Sequence, residues 1–324
     1  MKASVHKTYG PPEVMEVTEV EQLVPKDDEV LVKVHAATVT SGDCKVRKAD
    51  PFPVRFFYGL KKPKTGILGS EFSGEVEATG KDVTSFQKGE AVFCGTGVKL
   101  GANAEYVCVK EKGAIVAKPG NMTFEEAASV PFGATTSLFF LRDQGRIKEG
   151  QKVLIYGASG ALGTYAVQLA KAFGTDVTGV CSTNHVALVT SLGADQVIDY
   201  TQEDFTASGQ TYDLIFDTVG KTSFSTCKNL LSTNGIYVTA VAGVPQFAQM
   251  MVTSLIGSKK LKGGLASMRK EDLLFLKELI ESGKIHSVID RRYSLDQVAA
   301  AHSYVETGHK HGSVVITLIP SPAF

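Results

Sequence analysis

Apolar and polar positions follow two rhythms along this chain. From Glu29 to His35 the order Glu-Val-Leu-Val-Lys-Val-His alternates, which predicts a half-buried strand. Further short β-favouring runs stand at residues 74–77, 91–93, 106–109 and 114–117, with glycine- and lysine-rich turns between them. Many short strands without a long helix predict a small barrel or sandwich up to about residue 122. Pro51, Pro53 and the run Lys61-Lys62-Pro63-Lys64 mark a long, exposed loop. At Met122 the rhythm changes. Thr123-x-x-Glu126 reads as a capping box that opens a helix. Beyond it, strands at residues 153–156, 177–181, 197–199, 214–217 and 236–241 alternate with helical stretches, which predicts a parallel sheet with helices on both faces. Helices are then expected over residues 270–281 and 295–305, and a last strand over 313–318.

The most informative stretch is Lys152-Val-Leu-Ile-Tyr-Gly-Ala-Ser-Gly-Ala-Leu-Gly163 and the helix after it. Four β-favouring residues lead into a glycine turn. Leu162, Tyr165, Ala166, Leu169, Ala170 and Phe173 then recur at helical spacing up to Gly174. A helix N-terminus presents unpaired amides and a partial positive charge, so strand, glycine turn and helix together make an anion site. The pattern G-x-G-x-x-G maps onto Ala158, Gly160 and Gly163, with alanine in the first place. Ser159, Gly160, Ala161, Leu162 and Gly163 are the residues expected against a dinucleotide pyrophosphate. The plainer alternative is a buried β–turn–α unit that binds nothing.

Composition narrows the classes. A length of 324 residues points to two domains. The expected division is residues 1–122, rejoined by 265–324, against residues 123–264. Zero formal net charge leaves no electrostatic footprint for nucleic acid or an acidic membrane surface. No apolar run approaches about 18 residues, and the first residues lack the apolar core of a signal peptide. The five cysteines form no C-x-x-C pair and are odd in number, which fits a reducing, cytoplasmic setting better than a disulfide framework.

Several motifs, taken together, bring a family into view. They are Gly69-Ser-Glu-Phe-Ser-Gly74, Val130-Pro-Phe-Gly-Ala-Thr135, the glycine turn, Leu192-Gly-Ala-Asp195 with Val197-Ile-Asp-Tyr200, Phe216-Asp-Thr-Val-Gly220, Ser282-Gly-Lys-Ile285 and Gly312-Ser-Val-Val315. In this order the chain resembles the medium-chain dehydrogenase/reductase superfamily, and most of all its zinc-free quinone oxidoreductase and enone reductase branch. The resemblance implies an α/β fold: a GroES-like β-barrel domain joined to a Rossmann doubly wound parallel sheet, with the active site in the cleft between them. It also implies a homodimer. Zinc-dependent members carry ligands near positions where this chain has Thr40, Ser70 and Phe132, and a structural zinc lobe needs four close cysteines. No metal site is therefore expected. His309-x-His311 is read as a solvated loop, because two ligands rarely hold a metal.

NAD-specific Rossmann domains carry an acid about 20 residues past the turn, on the tip of the second strand. Here that tip reads Cys181-Ser-Thr-Asn-His185, with no acid. Ser182, Thr183 and His185 are candidate contacts to a 2′-phosphate, and Tyr200 matches a phosphate-contacting tyrosine of the family. NADPH is therefore expected ahead of NADH, although no lysine or arginine completes the signature. Thr218 and Val219 end one parallel strand, and Ala242 and Gly243 the next, where cofactor contacts concentrate.

By the resemblance, the segment from Thr38 to Arg47 lies along the nicotinamide, so Thr40 and Asp43 are candidate cofactor contacts. Lys45 would polarise a substrate carbonyl, or is a surface lysine. Asp43 either reaches the cofactor or holds its own loop. Arg47 is read as a surface or phosphate-contacting charge. Thr135 is a second catalytic and cofactor candidate, or a helix-interior threonine bonding its own backbone. Tyr58-x-x-x-Lys62 imitates a short-chain dehydrogenase pair but precedes the glycine turn, the wrong order for that family. The expected activity is metal-free hydride transfer from NADPH to a quinone or α,β-unsaturated carbonyl. The rival is a non-catalytic NADP-binding scaffold or redox sensor on the same fold.

Overall fold

The computed structural model describes every residue except Thr65, Ala242 and residues 320–324. In chain order its elements are β1 (Lys2–His6), β2 (Met15–Glu19), β3 (Glu29–Val39), α1 (Ser41–Lys48), α2 (Val54–Tyr58), β4 (Glu71–Thr79), β5 (Ala91–Gly95), β6 (Tyr106–Lys110), β7 (Ala114–Ala117), α3 (Phe124–Ala128) and α4 (Val130–Leu138). There follow β8 (Lys152–Tyr156), α5 (Ala161–Ala172), β9 (Asp176–Cys181), α6 (Val186–Ser191), β10 (Gln196–Asp199), β11 (Tyr212–Asp217), α7 (Phe224–Cys227), β12 (Leu231–Thr239), α8 (Val244–Leu255) and β13 (Lys260–Gly263). The last elements are α9 (Lys270–Glu281), β14 (Ile289–Ser294), α10 (Val298–Glu306) and β15 (Ser313–Thr317).

These elements pack into two units. The first holds Met1–Phe132, Met268–Glu281 and the described residues from Ser287 onward; the second holds Gly133–Ser267 and Ser282–His286. In the first unit β3 is the central strand. One edge of it pairs with β4, and the other is shared by β6 along its first half and β15 along its second. The sheet runs β14-β15-β3-β4-β5-β7 and is antiparallel except between β14 and β15. The alternation read at residues 29–35 buries Val30, Val32 and Val34 with Phe72, Val92 and Ile115 in one core.

The second unit is a six-stranded parallel sheet in the order β10-β9-β8-β11-β12-β13. That is the doubly wound Rossmann order, with its switch point between β8 and β11. Val153, Leu154 and Ile155 of β8 are all fully buried, as a parallel strand covered on both faces requires.

Some local readings change. The segment after Thr40, read as a loop, is the helix α1. Part of the loop at residues 51–64 forms α2. The strand expected over residues 236–241 begins earlier, at Leu231, and ends at Thr239. β1, β2, β13 and β14 were not anticipated, although Lys2-Ala-Ser-Val-His6 of β1 and Met15-Glu-Val-Thr18 of β2 do alternate. Among the described residues, no helix is long and apolar enough to cross a membrane.

Candidate active site

In the second unit, the glycine turn after β8 is shaped by three contacts. The amides of Gly157 and Ala158 both donate to Val180 O at 3.0 Å, tying the turn to β9. Gly157 has φ +80°, and a Cβ there would meet Thr218 Oγ1 at 2.7 Å. At Gly163 a Cβ would meet Gly157 O at 2.1 Å, so only glycine lets α5 lie this close to the turn. Gly160 differs. It is the N-cap of α5 with φ −73°, and a Cβ there would meet only Gly157 O, at 3.5 Å. Internal packing does not require a glycine at this position. The open backbone there, followed by the unpaired first amides of α5 at Ala161, Leu162 and Gly163, is a cradle that fits a pyrophosphate. Ser159 lies in the same turn.

The other expected nucleotide residues gather at the carboxyl ends of neighbouring strands. Thr218 Oγ1 donates to Tyr156 O at 2.9 Å, so the end of β11 is fastened to the end of β8. Val219 beside it is 41 % exposed. Its amide and that of Gly220 both donate to the buried Asp217 carboxylate, at 3.0 and 2.8 Å, and Tyr237 donates to the other oxygen at 2.9 Å. Asp217 thus orders the loop that presents Val219, a role the sequence did not reveal. Ser182, Thr183 and His185 follow β9, and the Tyr200 amide donates to Cys181 O at 3.1 Å. Gly243 caps α8, with its amide donating to Gln246 Oε1 at 3.0 Å. Ala242 lies outside the described residues.

The tip of β9 carries one correction. Its own residues include no acid, yet the register pairs Asp199 of β10 with Cys181 of β9. Thr183 Oγ1 donates to Asp199 Oδ2 at 2.5 Å, and Thr201 Oγ1 donates to Asp199 Oδ1 at 2.7 Å. A carboxylate therefore does stand at this tip, supplied by the next strand.

Thr135 is 1 % exposed and lies on α4. That helix is packed on the start of α5: Ser137 Oγ donates to Leu162 O at 2.8 Å, and a Cβ at Gly133 would touch the Tyr165 ring at 3.0 Å.

The remaining candidates belong to the first unit. Thr40 and Asp43 form a capping box on α1. Thr40 N and Oγ1 donate to Asp43 Oδ2 at 2.8 and 2.6 Å, and Asp43 N returns a bond to Thr40 Oγ1 at 3.1 Å. Gly69 N donates to the other carboxylate oxygen at 3.2 Å, and Asp43 is 1 % exposed. Its oxygens are thus engaged within the fold, so the structural one of its two readings describes these contacts. Lys45 is exposed on the same helix.

Arg47 is neither a surface group nor a phosphate contact. It is fully buried, donating to Gly10 O at 3.0 Å and to Glu306. Spacing on α1 gave no sign of this, because its partner lies 259 residues away. Glu71, also missed, is buried. It accepts from Thr38 Oγ1 at 2.5 Å and from the Phe132 amide at 2.6 Å, and burial pushes its carboxyl up to about 8.

The donor set does not fit a zinc ion. Thr40 is committed to its cap, Phe132 offers no ligand atom, and Cys44 is buried against His302 Nδ1 at 3.3 Å. Among the described residues, no three His, Cys, Asp or Glu side chains converge. Burial raises all five thiols, Cys44 to about 12 and Cys108, Cys181 and Cys227 to about 11.

Comparison with known proteins agrees with this architecture. Residues 26–120 match the family described as alcohol dehydrogenase GroES-like domain, and residues 192–316 the one described as zinc-binding dehydrogenase. A 2-methylene-furan-3-one reductase of Solanum lycopersicum is 33% identical, over 99% of this chain and 80% of its own. The solved quinone oxidoreductase of Coxiella burnetii is 31% identical with a TM-score of 0.89, covering 98% of this chain and 99% of that one. The Escherichia coli quinone oxidoreductase solved with NADPH is 25% identical with a TM-score of 0.83, covering 98% of this chain and 100% of that one. With its Rossmann strand order, its open glycine cradle and these relatives, the chain belongs to the medium-chain dehydrogenase/reductase superfamily, in the quinone oxidoreductase branch.

Proposed function

We propose that the chain is a metal-independent NAD(P)H oxidoreductase that reduces quinones or α,β-unsaturated carbonyls. NADPH is the expected form, and the E. coli relative solved with NADPH supports it. The observation that carries the reading is Gly160, a glycine that packing does not require, at the open end of a 12-residue helix. The α5 amides hold the pyrophosphate there, with Thr218 and Val219 on the adjoining strand end. Bound NADPH supplies the hydride.

Without a metal to stabilise an alkoxide, an acceptor that is already electrophilic is the better match for this site. Lys45 is assigned to the carbonyl oxygen, where an ammonium stabilises the developing negative charge. Thr135 is assigned to the nicotinamide end of the cofactor. Four of the raised thiols are buried and the fifth, Cys108, is half-buried, so none is a readily ionised, exposed cysteine, which counts against the sensor alternative in its thiol-based form.

Assembly as a homodimer belongs to the same proposal. β13 is an edge strand, and Phe247, Met251, Leu255 and Ile256 of and just after α8 are 52 to 83 % exposed. A spectrophotometric panel of quinones and enones, run with NADPH and with NADH, tests the function. Nucleotide binding without turnover of any acceptor would refute it.

A further inference from the structure

This inference rests on the nucleotide-binding reading above and concerns the part of the site that faces the adenosine ribose. In Rossmann domains the tip of the second strand reads the 2′ position: an acid there bonds a hydroxyl, and donors or cations accommodate a phosphate. Here that strand is β9. Three observations describe what its tip offers.

The first is the Asp199 triad. Besides the two bonds given above, Thr183 Oγ1 and Thr201 Oγ1 lie 2.8 Å apart, and Thr201 N donates to Asp199 Oδ1 at 2.9 Å. Two hydroxyl protons serve three short contacts. However they are arranged, both stay inside the triad, so its hydroxyls turn only lone pairs outward, one of which, on Thr201, accepts from Gln202 Nε2 at 3.4 Å. Such a surface accepts a hydrogen bond from a ribose hydroxyl. It offers nothing to a phosphate, which is an acceptor itself.

The second is charge. Between Asp176 and Gly220 the sequence has seven acids and no lysine or arginine. The nearest lysine before this stretch, Lys171, is paired with Asp195 at 2.7 Å. The threonine hydroxyls hold the Asp199 carboxyl below its usual range, so it is anionic at neutral pH. The third is register: the parallel pairing of β10 with β9 sets Asp199 beside Cys181, immediately before Ser182 and Thr183.

We propose that Asp199 is a specificity-determining residue that penalises the 2′-phosphate of NADPH relative to the 2′-hydroxyl of NADH, acting from the strand beside the one that ordinarily carries the acid. The preference of the chain for NADPH is therefore small, and NADH is a competent partner.

The test is calorimetric titration of NADP⁺ and NAD⁺, without acceptor, into the wild type, Asp199→Asn and Thr183→Val. Asp199→Asn should bind NADP⁺ about tenfold more tightly and NAD⁺ within about twofold of the wild type, because one like charge is gone. Thr183→Val keeps the charge, so it should weaken NAD⁺ without tightening NADP⁺. A second measurement needs no variant: adenosine 2′,5′-bisphosphate should compete no more than about threefold better than adenosine 5′-phosphate. An unmoved NADP⁺/NAD⁺ ratio in Asp199→Asn overturns the proposal, as does a tenfold advantage for the bisphosphate on the wild type. Either result leaves the nucleotide site standing. If neither dinucleotide binds the wild type, the nucleotide site itself falls.

Discussion

Two helices of this chain begin in opposite ways. At the start of α1 the Thr40 hydroxyl and the Asp43 carboxylate satisfy the first amides and each other, and Gly69 N occupies the remaining oxygen. At the start of α5 the cap residue is Gly160, and no side chain answers the amides. The first arrangement stabilises a helix; the second leaves a partial positive charge for something outside the chain. The surroundings follow the same division. The first unit encloses Arg47 on Glu306, Cys44 on His302 and Glu71 on Thr38, and leaves Lys45 exposed. The second lines its strand ends with exposed Tyr200, Val219 and Thr183. A polar residue in the family's motif is therefore no guide to binding until its partners are known.

The enclosed half should show the largest effect. Burial keeps Glu71 protonated in the folded chain to about pH 8, while in the unfolded chain it ionises near its ordinary 4.5. The folded state then holds the extra proton between those values, so stability falls as pH rises from about 5 to 8. Lys310, lowered to about 8 by burial, acts in the opposite sense and adds stability as pH rises further toward 10.5. In urea melts at several pH values, Glu71→Gln should flatten the decline below pH 8; parallel profiles for variant and wild type would show that Glu71 is not its source.

Gly160→Asp imitates the α1 cap on α5. It should change folding stability by only a few tenths of a kcal/mol and weaken NADP⁺ by about 100-fold, since an acid then occupies the place of the phosphate. Retained affinity in a titration would mean that the cradle is elsewhere. Lys45→Ala should lower kcat on enones by about tenfold, more than it alters NADPH affinity; an unchanged kcat removes Lys45 from the chemistry. Thr40→Ala is the mildest of the four, with a loss of about 1 kcal/mol in denaturant melts. No loss at all would mean that the box does not hold α1.

The parts of this architecture that were legible in the sequence are those fixed by local pattern. The alternation at residues 29–35 set β3, the glycine spacing set the β8–α5 turn, and Thr123-x-x-Glu126 is the capping box of α3. What escaped depended on partners far along the chain. Thr40-x-x-Asp43 has the spacing of a cap, but α1 is short and polar, so no apolar stripe announced a helix. Arg47 looked like a surface charge because Glu306 is remote. Asp199 was invisible at the β9 tip because a parallel register, not sequence proximity, brings it there.

That register has a practical bearing on attempts to re-engineer coenzyme use. Swapping the loop after β9 for one from a related enzyme, the usual transplant, would import new side chains and leave the β10 carboxylate among them. A successful graft would have to span residues 181 to 201 as one cassette, or alter position 199 alongside the loop.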